Sequence, residues 1–232
     1  MANLKLLFGD LETTGTDERI HGVIQIAGKV QIRSEDGLSI VKQEPFDLNL
    51  SPFPGDMVSK EALEICGVTM EDLKSPERLE PRKAKQIFTS MLCRYVDKFK
   101  KPDKFFLVGF NSTFDDRMLR ALFEKCQDKY YGSLISWPPI DVAPMAAIKL
   151  GVRRLKMPNF KLATVATEVG ISVRSDKLHD AMYDIELTEA LFDWCVGFTR
   201  PQEETHVGFS DPGCVGHSDI GPETGDVQLP LM

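Results

Sequence analysis

The chain opens with an apolar run that ends on acid. Residues 4–9 read as a buried strand, interrupted only by Lys5 and closed by Asp10. "GVIQIAGKVQI" shows partial two-residue alternation and predicts a second strand; "LSIVKQEPFDLNL" predicts a third, less regular because of Pro45. "SPFPGD" breaks the pattern, and "SKEALEICG" reads as a short helix stopped at Gly67. In "RKAKQIFTSMLCRYVDKF", Ile87, Met91, Tyr95 and Phe99 fall at helical spacing, with Leu92 and Val96 alongside, and predict a helix packed on a sheet. "FFLVGFN" predicts another buried strand. "FDDRMLRALFEKC", "NFKLATVATEVG" and "HDAMYDIELTEALFDWCVGF" predict further helices. Strands alternating with covering helices imply a mixed α/β sheet, and no internal repeat is visible.

The pattern fails after Phe198. Residues 199–232 are rich in Gly, Pro, Asp, Glu, Ser and Thr, with too little apolar surface to offset the entropy of ordering them. The expected organisation is therefore one domain, 1–198, and a flexible acidic tail, 199–232. Net charge is −7 over 232 residues, which at first argues against a polyanionic partner. The tail, however, holds Glu203, Glu204, Asp211, Asp219, Glu223 and Asp226 against Arg200 alone, so it carries −5 and leaves −2 on the body. With some of the body's acids holding metal, nucleic acid remains an admissible partner. The apolar runs are too short for a membrane span or a signal-peptide core. Cys66, Cys93, Cys126, Cys195 and Cys214 form an odd set without a CxxC pair, and read as reduced packing residues of a cytoplasmic protein.

Candidate chemistry begins where the first strand ends. In "FGDLETTGT", Asp10 and Glu12 are two residues apart and share one face of the strand. Two carboxylates side by side are unfavourable unless a positive charge lies between them. Asp115 follows the fourth strand near the first turn of the next helix, while His179 and Asp184 mark the start of the last one. Alone, each of these has an ordinary structural reading, such as an acid favoured at a helix N-terminus. Together, four converging carboxylates form an oxygen site suited to two divalent cations, Mg²⁺ or Mn²⁺. Such a pair promotes phosphoryl chemistry, and a histidine beside it is suited to take a proton from water.

"DLETTGT", "NSTFDDRML" and "HDAMYD", in that order, resemble the three motifs of the DEDDh (DnaQ-like) superfamily of 3′→5′ exonucleases, a group that includes the proofreading subunit of bacterial replicative polymerases and bacterial exonuclease I. The resemblance spans about residues 4–198. It implies a ribonuclease-H-like fold, a five-stranded mixed sheet flanked by helices. By position it implies Asp10 bridging both metals, Glu12 and Asp184 on the nucleophile-side ion, Asp115 placing the other through water, and His179 as general base. It departs from the family pattern at Gln25, where many relatives carry Glu, at Cys66, often His, and at Phe110, commonly His or Tyr. The activity implied is metal-dependent 3′→5′ hydrolysis of DNA to 5′-mononucleotides at single-stranded or frayed ends, in proofreading or repair. An exoribonuclease stays open, since these motifs do not read the 2′-hydroxyl.

The resemblance also implies that Thr13, Thr14 and Gly15 approach the 3′-terminal nucleotide, with Asn111 either joining them or capping its helix. Arg153 and Arg154, in "GVRRLKMPNFK" with Lys156, Lys161 and Phe160, offer the mixture suited to tracking phosphates and stacking bases, or form an ordinary solvated loop. The chain's last residues, "QLPLM", resemble the short peptide by which bacterial replication and repair proteins bind the sliding clamp. Gln228 would bond at the rim and Leu229, Leu231 and Met232 would enter apolar pockets. A non-catalytic clamp-binding module is thus the alternative from another class.

Overall fold

The computed structural model of the chain describes residues 3–37, 39–178 and 180–198. Strands β1 (Leu4–Thr13), β2 (Val23–Arg33) and β3 (Ile40–Asn49) form an antiparallel meander. Helix α1 (Lys60–Cys66) and helix α2 (Pro81–Leu92) follow, then β4 (Phe106–Gly109) and α3 (Ser112–Lys125). The two-residue β5 (Ile140–Asp141) leads into α4 (Val142–Leu150), α5 (Leu162–Glu168) and α6 (Ala181–Val196). The sheet order is β3-β2-β1-β4-β5, with β4 and β5 parallel to β1. The expected five-stranded mixed sheet is present. Pro45 is tolerated because β3 lies at the sheet edge, where a missing N–H need not break a ladder.

Period-two alternation divides the core. Leu7 and Leu11 of β1 enter a cluster with Phe88 of α2 and Met118, Leu119 and Phe123 of α3. Leu6 and Phe8 enter the opposite cluster, with Val142, Ala146, Val165, Ile185 and Leu191 from α4, α5 and α6. Asp10 and Glu12 continue the parity of Leu6 and Phe8, so they leave β1 on the α6 side. Helix α6 is bound to β2 through buried charge: Arg33 pairs with Asp193 and bonds Gln31, Gln31 bonds Glu189, and Lys29 pairs with Glu189 at 2.7 Å. The Arg33 guanidinium also lies over the rings of Phe192 and Phe198.

Three local expectations change. Helix α2 stops at Leu92 and buries Ala84, Phe88 and Leu92, whereas Phe99 lies beyond it and is 87% exposed. The apolar period carried across the helix end into a turn misplaced that face. Helix α4 and strand β5 had no visible period, being respectively apolar on most sides and two residues long. The four described cysteines form no disulfide and are not uniformly packed, since Cys126 is buried, Cys66 and Cys195 are half-buried and Cys93 is exposed. Among the described residues, no helix is long and apolar enough to cross a membrane.

Candidate active site

The strand-end acids meet acids from two helices. Asp115 occupies the first turn of α3, and Asp184 the first turn of α6, whose N-cap Asp180 accepts the Tyr183 N–H at 3.0 Å. Burial raises Asp10 well above the usual carboxylate range, and the charges of Asp115, Glu12 and Asp184 raise it further. Asp115 is pushed up to about 8, first by burial and then by Asp141 and Glu12, although backbone N–H groups at Asp115 and Leu11 oppose the shift. Folding therefore brings Asp10, Glu12, Asp115 and Asp184 within electrostatic reach of one another, around the end of β1.

Such a group of hard oxygen donors, mutually repelling and partly desolvated, has the donor chemistry that suits a hard divalent cation. Among the described residues, no three His, Cys, Asp or Glu side chains lie close enough together to hold a single ion. His179 lies outside the described residues, as do Gln228, Leu229, Leu231 and Met232.

The turn after the acids is occupied by its own structure. Thr13 Oγ1 donates to the Gly15 carbonyl at 2.8 Å. Thr14 Oγ1 donates to the Met57 carbonyl at 2.7 Å and accepts the Gly22 N–H at 2.9 Å. A Cβ on Gly15 would come within 2.3 Å of the His21 ring, so glycine there admits a histidine rather than simply loosening the turn. The hydroxyls of both threonines are thus engaged internally. Asn111 takes the helix N-cap position in the left-handed region (φ 70°, ψ 38°) without a side-chain cap bond, leaving its exposed amide outside the capping role.

Sequence reasoning passed over Asp141. Its Oδ1 accepts from the backbone N–H of Asn111 at 2.9 Å and of Ala143 at 3.0 Å, tying the turn that carries Asp115 to the start of α4. An acid closing "PPID", as Asp10 closes the first apolar run, was the available signal, although β1 itself continues past Asp10 to Thr13. Also unread was a bond between Cys66 Sγ and Glu12 Oε2 at 2.8 Å. Farther along, Phe110 stacks on Phe160 with centroids 6.3 Å apart, and the Arg154 guanidinium lies 4.6 Å from the Phe160 centroid. Arg153 instead pairs with Glu168 at 2.9 Å.

No family model matches the chain. Ribonuclease T of Blochmanniella pennsylvanica is 26% identical over 186 residues, covering 79% of this chain and 80% of that protein. Ribonuclease T of Shewanella sp. strain MR-4 is 24% identical over 187 residues, covering 81% and 79%. Among solved structures, an exonuclease I superposes with TM-score 0.63 at 20% identity, over 82% of this chain and 41% of that one. Escherichia coli exonuclease I in complex with a dT13 oligonucleotide gives 0.62 at 21% identity, and a zinc-ion-bound exonuclease I–ssDNA complex gives 0.62 at 22%. The resemblance to the DEDDh exonucleases is borne out. The fold is ribonuclease-H-like, and the chain spans about two fifths of the exonuclease I chains it overlays.

Proposed function

We propose that the chain is a metal-dependent 3′→5′ exonuclease that hydrolyses single-stranded or frayed DNA ends to 5′-mononucleotides. The observation that carries this reading is the charge cluster at the end of β1, with Asp10 at its centre and Glu12, Asp115 and Asp184 around it. Asp10, Glu12, Asp115 and Asp184 would hold two Mg²⁺ or Mn²⁺ ions. When bound, these ions offset phosphate charge, favour ionisation of the attacking water and stabilise the leaving oxygen. His179 would accept the proton from that water. The backbone of Thr13, Thr14 and Gly15 and the Asn111 amide would face the terminal nucleotide. The Phe110–Phe160 pair with Arg154 would offer flat faces for bases, and Arg153 would exchange its Glu168 partner for a phosphate.

RNA is the second reading, favoured by the ribonuclease T name of the relatives. We assign residues 1–198 to the nuclease and 199–232 to an appendage that would engage a sliding clamp through Gln228, Leu229, Leu231 and Met232. The deciding assay uses 5′-labelled DNA and RNA of one sequence, single-stranded and duplex, with Mg²⁺, Mn²⁺ or EDTA. A ladder shortening from the 3′ end, lost in EDTA and in Asp10→Asn, is expected. Intact oligonucleotides under every metal condition would leave the clamp-binding module as the better account.

A further inference from the structure

Cys66 is the last residue of α1, and its place is fixed from several sides. The N-cap Ser59 donates its backbone N–H to the Thr14 carbonyl at 2.8 Å, fastening the helix start to the turn after the acids. Ser59 Oγ accepts the Ala62 N–H at 3.2 Å, and Leu63 is buried against Ile24 and Leu73. Gly67 ends the helix in the left-handed region, its N–H returning to the Leu63 carbonyl. A thiol carried on this short, pinned helix meets Glu12 Oε2 at 2.8 Å, across 54 positions of sequence.

The geometry points to Cys66 as a positioning residue for the proposed exonuclease site: its S–H donates to one oxygen of Glu12 and holds the other in register for a cation. This inference rests on the reading of Glu12 as a metal ligand and adds to it the group that orients that ligand. A glutamate on a strand has three side-chain torsions to fix before it can ligate. A donor attached to a separate pinned element fixes them in advance, as partners behind metal ligands do elsewhere. A thiol suits the place because it is small and can donate while adding no charge to a crowded anionic site.

The test measures Mn²⁺ binding to the full chain without nucleic acid, by calorimetry, with metal-free melting temperature alongside. Cys66→Ala is expected to weaken Mn²⁺ binding about tenfold, with the melting temperature little changed. Cys66→Ser, which keeps a donor, is expected to restore affinity to within about twofold. Wild-type affinity in Cys66→Ala, or equal weakening in both variants, overturns the inference while leaving the nuclease reading intact. Failure of the wild-type protein to bind Mn²⁺ at all, with Asp10→Asn no different, overturns both.

Discussion

Asp10 and Asp115 are the residues where folding works against charge. Each has its carboxyl raised, by burial before anything else, so the metal-free native state holds protons that the unfolded chain has already released. For Asp115 the window runs from its ordinary 3.8 to about 8. Between those limits the native state binds more protons, so stability falls as pH rises. The metal-free protein should therefore melt at a lower temperature at pH 8 than at pH 5.5, and Asp115→Asn should flatten that dependence. Mg²⁺ should flatten it too, because a cation favours the carboxylate form. A metal-free melting temperature constant across this range would contradict the assignment. For catalysis, Asp10→Asn should lower turnover on the order of a thousandfold or more with folding retained, read by single-turnover assay and far-UV circular dichroism.

At the scale of elements, helix α6 is the member whose placement depends most on buried charge. It carries Asp184 in its first turn, while its C-terminal half is tied to β2 by the pairs of Arg33 with Asp193 and of Lys29 with Glu189. Arg33→Met would take the buried guanidinium from Asp193 and Gln31. A loss of roughly 3–5 kcal/mol is expected in urea unfolding. Arg33→Met with Asp193→Leu should recover much of it, since replacing both partners avoids a buried unmatched charge. If the double variant were as unstable as the single one, ring contacts of Arg33 with Phe192 and Phe198 would be the larger contribution.

Elements also show what the sequence could convey. Asp10 and Glu12 were legible because a strand's two-residue period assigns them one face, and Asp115 and Asp184 because both open helices after recognisable breaks. Asp141 was not, since a two-residue strand has no period to read. The bond from Cys66 to Glu12 joins a helix end to a strand through tertiary placement alone, which no local pattern encodes. The face assigned to α2 failed for the opposite reason: apolar spacing persisted through residues 93–99 after the helix itself had ended.

On the scale of the whole molecule, net charge is spread unevenly along the sequence. The chain's −7 falls to −2 when residues 199–232 are removed. Residues 199–232 are poor in apolar side chains, and Phe198, which covers Arg33, is retained in such a truncation. A 1–198 protein should accordingly fold and turn over substrate at a rate similar to the full chain. Its KM for a short oligonucleotide should be lower at low ionic strength, because less net negative charge opposes the approach of phosphate. The difference should shrink as salt shortens the screening length to about 10 Å at 0.1 M and less beyond it. Steady-state kinetics at several salt concentrations measure this directly. Were the truncated protein to show a higher KM at every salt, residues 199–232 would contribute to substrate binding, and the division of labour between body and appendage would have to be redrawn.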